Sequence, residues 1–358
     1  MTILWASLVA VTFFGFMARY FSTPSPAAGY LPIQPNKLAA GLAAITLVLV
    51  AGLRNNIGDT FLYMHGYSVQ PLNWQLVLER KDIGFNMLQM LLQQMTNDPQ
   101  ILIAVTALVT NVLIVCVFYQ YSRMLEISLF VYITSGAFIV SMNGLRQYLA
   151  AAIVFAGTKF LVEGRWKPYM LLVLFAALFH QSALLMIPIY FVARRKAWTK
   201  GTMLYLAAAI IIVLGYNHFS EMLFSAIEDT QYGHYQEFQE GGANFMRVLI
   251  SLIPLIIAFM GKDKLRELFP AGDVFVNLSI VSLILMIIAT QNWIFARLTI
   301  YFNLYQLVLF GWLIKLFREK DQRFVYMAVV SLFFVYSFYE NVVILGIRYS
   351  SDYLIWPF

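Results

Sequence analysis

The hydrophobic positions of this chain form long uninterrupted runs, and most of its polar residues lie between them. Eleven apolar stretches reach or approach the length that crosses a bilayer, about 17 to 25 residues. They cover 2–19, 37–53, 99–120, 125–141, 146–162, 168–192, 201–216, 244–260, 273–291, 296–314 and 324–341. Continuous apolar runs predict α-helices, whereas a membrane β-barrel shows alternating polar positions. The pattern therefore predicts an all-α integral membrane protein.

The simplest organisation is a single polytopic membrane domain over residues 1–358. The stretch 168–192 is long for one crossing and carries His-Gln-Ser in its middle. We therefore expect about ten transmembrane helices, together with a broken or re-entrant helix pair near 168–192. A further segment, "DIGFNMLQMLLQQM", has the amphipathic pattern of a helix that lies on the membrane or re-enters it.

Composition supports the membrane assignment. Hydrophobic residues make up 61% of the chain and charged residues 12%, about half the charged share of a soluble domain. The net charge of +6 comes mostly from lysines and arginines between the apolar runs, so it indicates topology rather than a nucleic-acid partner. Cys116 is the single cysteine, and the histidines lack zinc-ligand spacing, so we expect no metal. No nucleotide-binding fingerprint is present, and we expect no cofactor.

Basic residues predict the orientation. The segments 193–200, 261–267 and 315–323 are expected in the cytoplasm, which places the acidic connection 217–243 outside. The side occupied by loop 54–98 depends on 168–192. A single crossing puts that loop in the cytoplasm, whereas a hairpin puts it outside, and the charge count does not decide. We favour the hairpin because it gathers the polar residues at one face, where both outer loops contribute to an extracytoplasmic cavity.

Arginines at the ends of the apolar runs are the first candidates for chemistry. An arginine at membrane depth is costly and typically marks a site. Arg146 follows an Asn-Gly turn and opens a helix, a position that the helix dipole disfavours for a cation but that suits an anion clamp. Arg54 follows an apolar run, and Arg297 begins another. A snorkelling cap for Arg54 and an interfacial anchor for Arg146 are the structural alternatives.

His180 is the one histidine in the middle of an apolar stretch. Its reference pKa of about 6.5 suits a general base, although a buried structural hydrogen bond is the alternative.

Five segments in a fixed order resemble the EpsG-like exopolysaccharide polymerases, which are related in role to the Wzy polymerases. The segments are "GLRNNIGDTFLY", "KDIGFNMLQMLL", "NGLRQYLAAAIVF", "LFHQSALLMIPIYF" and "ARLTIYF", and the resemblance runs from about Leu53 to Tyr301. A looser similarity links the chain to the polytopic bundles of GT-C glycosyltransferases.

The resemblance implies a multi-pass enzyme of the bacterial cytoplasmic membrane with its active site on the extracytoplasmic side. Such an enzyme moves a growing glycan from undecaprenyl pyrophosphate onto the next lipid-linked repeat unit, without metal or nucleotide. The implied partners are the lipid-linked donor and acceptor, the bilayer, a flippase and a chain-length regulator.

The same resemblance suggests roles for individual residues. The pyrophosphate ligands are expected among Arg54, Arg146, Arg297, Arg348 and Arg247, with Arg146 also catalytic. His180 or Asp59 is expected to take the hydroxyl proton, with Asp82 as a third candidate. Sugar contacts are expected from Tyr63, Tyr301, Asn55, Asn143, Gln147 and Asp82.

Three other functions share this architecture: a flippase or transporter of lipid-linked glycans, a membrane acyltransferase and an O-antigen-type ligase. A transporter places its polar groups near the midplane at a repeat interface. Here the polar groups lie mostly at the ends of the runs, and no repeat is visible, so the polymerase is favoured.

Overall fold

The chain folds as an all-α protein. The computed structural model describes residues 1–24, 30–215 and 241–354, and 77% of these residues are helical. Within these ranges the strands β1 (Thr23–Pro24) and β2 (Ile33–Gln34) form one short antiparallel pair. The all-α membrane architecture expected from the sequence is confirmed.

The helices follow the apolar runs closely. They are α1 (Thr2–Tyr20), α2 (Lys37–Gly52), α3 (Thr60–Val69), α4 (Trp74–Glu79), α5 (Ile83–Met95), α6 (Gln100–Tyr121), α7 (Leu125–Thr134), α8 (Ala137–Asn143), α9 (Leu145–Ala156), α10 (Thr158–Glu163), α11 (Trp166–Ala177), α12 (Met186–Ala193), α13 (Lys200–Leu214), α14 (Phe245–Met260), α15 (Lys262–Leu268), α16 (Gly272–Ala289), α17 (Ile294–Leu298), α18 (Ile300–Ile314) and α19 (Glu319–Ser337). A 3₁₀ helix (Gln181–Leu185) precedes α12, and a π-helix (Phe338–Ile344) continues α19.

Fewer helices have full spanning length than the sequence suggested. Among the described residues, four helices are long and apolar enough to cross a membrane, or up to six if each bent pair is one span. The ten expected spans are not shown. One reason is that expected spans break: α7 and α8 meet at 57°, where Gly136 adopts a left-handed φ of 86°. Other apolar helices are only 10–17 residues long.

Two helices form the centre of the molecule. Every residue of α7 is buried, as is every residue of α18 except Asn303, so both are surrounded by other helices. Small residues let the neighbours come close: a Cβ on Gly311 of α18 would lie 2.7 Å from the backbone nitrogen of Met124. The centre is closed further by Trp312, which donates to the Tyr121 carbonyl at 2.8 Å.

The stretch 168–192 is a helical hairpin. The chain reverses between α11 and the 3₁₀ helix, so that the rings of Tyr169 and Tyr190 lie 5.3 Å apart; a straight helix would separate them by about 30 Å. At the open end, Arg194 Nη1 donates to the Leu161 carbonyl at 3.2 Å. Both basic flanks therefore lie on the same side, and the turn at Leu178–His180 lies at the other end.

The amphipathic segment after residue 81 forms helix α5, as expected. Its surface is inverted relative to that of a soluble helix: a stripe of Ile83, Met87, Leu91 and Met95 is exposed, whereas Asn86 is buried. An exposed apolar stripe at helical spacing suits contact with lipid, so its position at the membrane stays our prediction. The expected outer loop 217–243 lies mostly outside the described residues.

Cysteine labelling tests the orientation that the hairpin implies. In a Cys116→Ser background, Glu79→Cys on exposed α4 should react with a membrane-impermeant maleimide added to intact cells. Lys320→Cys, exposed at the start of α19, should react only after permeabilisation. The reverse pattern would place loop 54–98 in the cytoplasm.

Candidate functional site

Arg146 lies in the first turn of α9, at the centre of a polar cluster. Its Nη1 lies 2.8 Å from Oδ2 of Asp82, and its Nε donates to the Tyr63 hydroxyl at 3.3 Å. The guanidinium carbon lies 5.8 Å from the ring centre of Tyr63 and 5.9 Å from that of Phe85. The Asp82 side chain is 1% exposed, whereas that of Arg146 is 36% exposed. Arg146 is therefore anchored from one side and remains open to a ligand from the other.

Asp82 connects this cluster to the turn of the hairpin. It adopts a left-handed φ of 60°, which aspartate tolerates better than most residues but which often marks a functional position. Its Oδ1 accepts the backbone N–H of Gln181 at 3.2 Å. Burial raises the pKa of the Asp82 carboxyl above its ordinary value, while Arg146 and the Gln181 N–H act in the opposite direction. One carboxylate thus connects helix α9 with the hairpin.

A glycine allows this contact. Gly84 N donates to the Leu178 carbonyl at 2.7 Å, and a Cβ on Gly84 would lie 2.8 Å from the Cβ of Leu178. The Asp-Ile-Gly sequence of the second motif therefore lets the start of α5 pack against the turn before His180.

His180 belongs to a chain of hydrogen bonds inside the same region. Its Nδ1 lies 2.6 Å from Oγ of Ser182, which in turn lies 2.9 Å from the Tyr301 hydroxyl. The imidazole is within electrostatic reach of Arg146 and Arg297. These contacts bring the fourth and fifth motifs together, although they are far apart in sequence.

The first and third motifs meet at Asp59 and Asn143. The Asp59 backbone N–H donates to Oδ1 of Asn143 at 3.0 Å, and the Asp59 carboxylate lies within electrostatic reach of Arg146. Gly58 permits this approach, with a φ of 53° and a hypothetical Cβ only 2.1 Å from the Asn143 oxygen. All five motifs therefore converge around the start of α9.

A cavity of about 270 Å³ opens on another side of the same helix start. It is lined by four of the predicted residues, Asn143, Gln147, Arg247 and Arg297. Gln147 Nε2 donates to the Arg297 carbonyl at 2.9 Å, and the Arg297 guanidinium lies 5.1 Å from the Trp293 ring centre. Most of the other lining residues are apolar, and a largely apolar cavity with a few convergent polar groups is the usual form of a ligand site.

Glu340 also lines this cavity and is not among the residues predicted from the sequence. It is 3% exposed, and its Oε1 accepts from Arg247 Nε at 2.8 Å and Nη2 at 2.5 Å. The sequence does contain a signal for Glu340, because a lone carboxylate within an apolar run is as costly as an arginine there.

The structure does not bring Arg54 into the open part of the site. Its side chain is buried, and its nitrogens donate to Thr60 Oγ1 at 3.0 Å and to the carbonyls of Ala51 and Met142. Arg54 thus ties the end of α2 to the end of α8, which favours a structural role over the predicted pyrophosphate contact.

Arg348 and Asn55 belong to the contact between the C-terminal tail and the first motif. The Arg348 carbonyl accepts from Asn56 at 2.8 Å, and its side chain is exposed. Asn55 donates to Asp352 at 2.9 Å. Neither residue lines the cavity.

No group of three or more His, Cys, Asp or Glu residues that could hold a metal ion occurs within the described ranges. The cluster around Arg146 contains cationic arginines, carboxylates, an imidazole and hydroxyls. Such groups bind phosphates and sugar hydroxyls.

These features define the class of protein: a multi-pass helical membrane protein with a cluster of polar side chains between its helices. The sequence pattern of the EpsG family matches residues 37–353, and the chain belongs to this family. EpsG proteins are Wzy-like exopolysaccharide polymerases, so the resemblance drawn from the five motifs is confirmed. No curated protein and no solved structure matches the chain.

Gly58→Ala tests whether the close approach to Asn143 holds the site together. The added Cβ meets the Asn143 side chain and imposes an unfavourable φ, so we expect a loss of about 1–3 kcal/mol in unfolding free energy. Thermal unfolding in detergent measures it. The matched control is Gly66→Ala in α3, where nothing lies within 4 Å of the new Cβ. Equal melting temperatures for the two variants would show that the close approach at Gly58 contributes nothing to stability.

Proposed function

We propose that this protein is the polymerase of lipid-linked repeat units. It moves the growing glycan from undecaprenyl pyrophosphate onto the next lipid-linked repeat, at the outer face of the bacterial cytoplasmic membrane. The observation that carries the proposal is the convergence of five separate polar motifs around Arg146, in a chain of the EpsG family. The function implies a flippase that delivers the repeats and a chain-length regulator as partners.

The reaction breaks the bond between the anomeric carbon and the pyrophosphate oxygen, so negative charge develops on the departing group. A fixed guanidinium aimed at that charge stabilises the transition state, and it does so most strongly in a site that excludes water. Arg146 meets this requirement because Asp82 and Tyr63 fix its orientation while part of its surface stays exposed. Arg297, which lines the neighbouring cavity, is the second proposed pyrophosphate ligand.

The acceptor hydroxyl must lose its proton as the new glycosidic bond forms. Two groups qualify. His180 is oriented by Ser182 and Tyr301, as a general base requires. Asp59 is half-buried and lies beside the Arg146 cluster. Asn143 and Gln147, which line the cavity, are the proposed contacts to sugar hydroxyls. Tyr63, Asp82 and Tyr301 do not line it and chiefly position other residues.

The first test is the size of the lipid-linked and surface glycan in cells that lack the gene. We expect the wild-type ladder to collapse to single exported repeats and to return with the wild-type gene. Arg146→Ala should not restore it, because the leaving pyrophosphate loses its fixed positive charge. Gel electrophoresis of the extracted glycan measures the ladder.

Arg165→Ala is the matched control, because Arg165 is exposed and pairs with Glu163 at 3.7 Å outside the cluster. It should restore a full ladder. Repeats trapped on the inner leaflet would instead identify a transporter. A ladder of normal length that lost only a decoration would identify an acyltransferase, and full-length chains left on the lipid carrier would identify a ligase.

The proton acceptor is tested by comparing His180→Ala with Asp59→Asn in purified protein. Loss of the base should lower the rate of chain growth by about 10²-fold or more with little change in KM. We expect this for one of the two variants. If each variant retains near-normal rates, neither residue acts as the base.

A further inference from the structure

The Arg247–Glu340 ion pair forms part of the wall of the 270 Å³ cavity. Both hydrogen bonds from Arg247 end on the same oxygen, Oε1. The second oxygen, Oε2, is buried and has no hydrogen-bond partner among the described residues. Asp82 differs, because each of its two oxygens accepts a hydrogen bond. A buried carboxylate oxygen without a donor is costly and calls for an explanation, such as a ligand that supplies the donor.

The local backbone is unusual at the same place. Glu340 and Asn341 lie on the π-helix Phe338–Ile344, which interrupts the regular geometry at the end of α19. Short π-helical segments are rare and occur frequently at functional sites. Both residues line the cavity, so the wider turn places two successive polar side chains on its wall.

Charge decides which ligand group fits here. A carboxylate repels pyrophosphate, and Glu340 also neutralises Arg247, so this end of the cavity has little attraction for an anion. An ionised carboxylate only accepts hydrogen bonds, and sugar hydroxyls are donors. The cationic end of the cavity is the one that contains Arg297.

We propose that Glu340 binds a hydroxyl group of the acceptor sugar through Oε2, with Arg247 as the residue that positions the carboxylate. This inference rests on the proposed function and deepens it: the sugar lies at the Glu340 end of the cavity and the pyrophosphate toward Arg297 and Arg146. It also assigns Arg247 to positioning rather than to pyrophosphate binding.

The probe is the carrier-free repeat glycan, released by mild acid from the lipid-linked repeats of cells that lack the gene. In purified full-length protein it should compete with the acceptor and inhibit chain growth. Glu340→Gln should raise its inhibition constant about tenfold or more, because a charge-assisted hydrogen bond is lost. The double variant Arg247→Gln with Glu340→Gln removes the charge of both partners together and should show the same rise, which covers the case in which the single variant fails to fold.

Glu126→Gln is the matched control. Glu126 is also a buried carboxylate paired with an arginine, at 3.0 Å from Arg19, and both of its oxygens are likewise buried without a hydrogen-bond partner among the described residues. It does not line this cavity, so the control separates an unpaired buried oxygen from one at the proposed sugar site. Its substitution should leave the inhibition constant unchanged even if the melting temperature falls. A wild-type inhibition constant in a folded Glu340→Gln or double variant would overturn the inference while leaving the polymerase intact. A wild-type protein that forms no polymer would overturn the proposed function itself, and this inference with it.

Discussion

The Asp82–Arg146 ion pair is the contact on which the arrangement of the site depends. One oxygen of Asp82 binds Arg146 of α9, and the other binds the backbone of Gln181 on the hairpin. The carboxylate itself comes from the loop between α4 and α5. Removing such a carboxylate from water is costly, and the cost is offset only when its oxygens find partners of good geometry. Here the same hydrogen bonds that offset burial also fix three segments relative to one another.

That ion pair requires backbones to approach more closely than most side chains allow. Gly84 brings the start of α5 against Leu178, and Gly58 brings the first loop against Asn143. Each glycine stands beside the polar residue whose position it permits, Asp82 in one case and Asp59 in the other. The glycines and carboxylates of these motifs therefore act as pairs. The glycine provides the space, and the carboxylate provides the charge.

The sequence predicts much of this arrangement and fails at identifiable points. Apolar runs locate the helices, and the cost of arginine at membrane depth locates the cluster around Arg146. The pattern does not show partners, however. Arg54 has the same sequence signal as Arg146, yet two of its acceptors are backbone carbonyls, one of them 88 residues away. Ten full spans are not shown among the described residues, and one reason is that hydropathy does not register a break such as the one at Gly136.

Consecutive residues on α9 connect the two polar regions. Arg146 belongs to the cluster with Asp82, whereas Gln147 bonds to the Arg297 carbonyl at the cavity. Successive side chains on a helix point about 100° apart, so Arg146 and Gln147 at the start of α9 face different polar regions. The proposed reaction needs this arrangement, because donor and acceptor each bring a lipid pyrophosphate and a glycan to one reacting carbon. A rigid helix between two arginine-bearing regions would keep both anions bound and apart while the sugars meet beside its first turn.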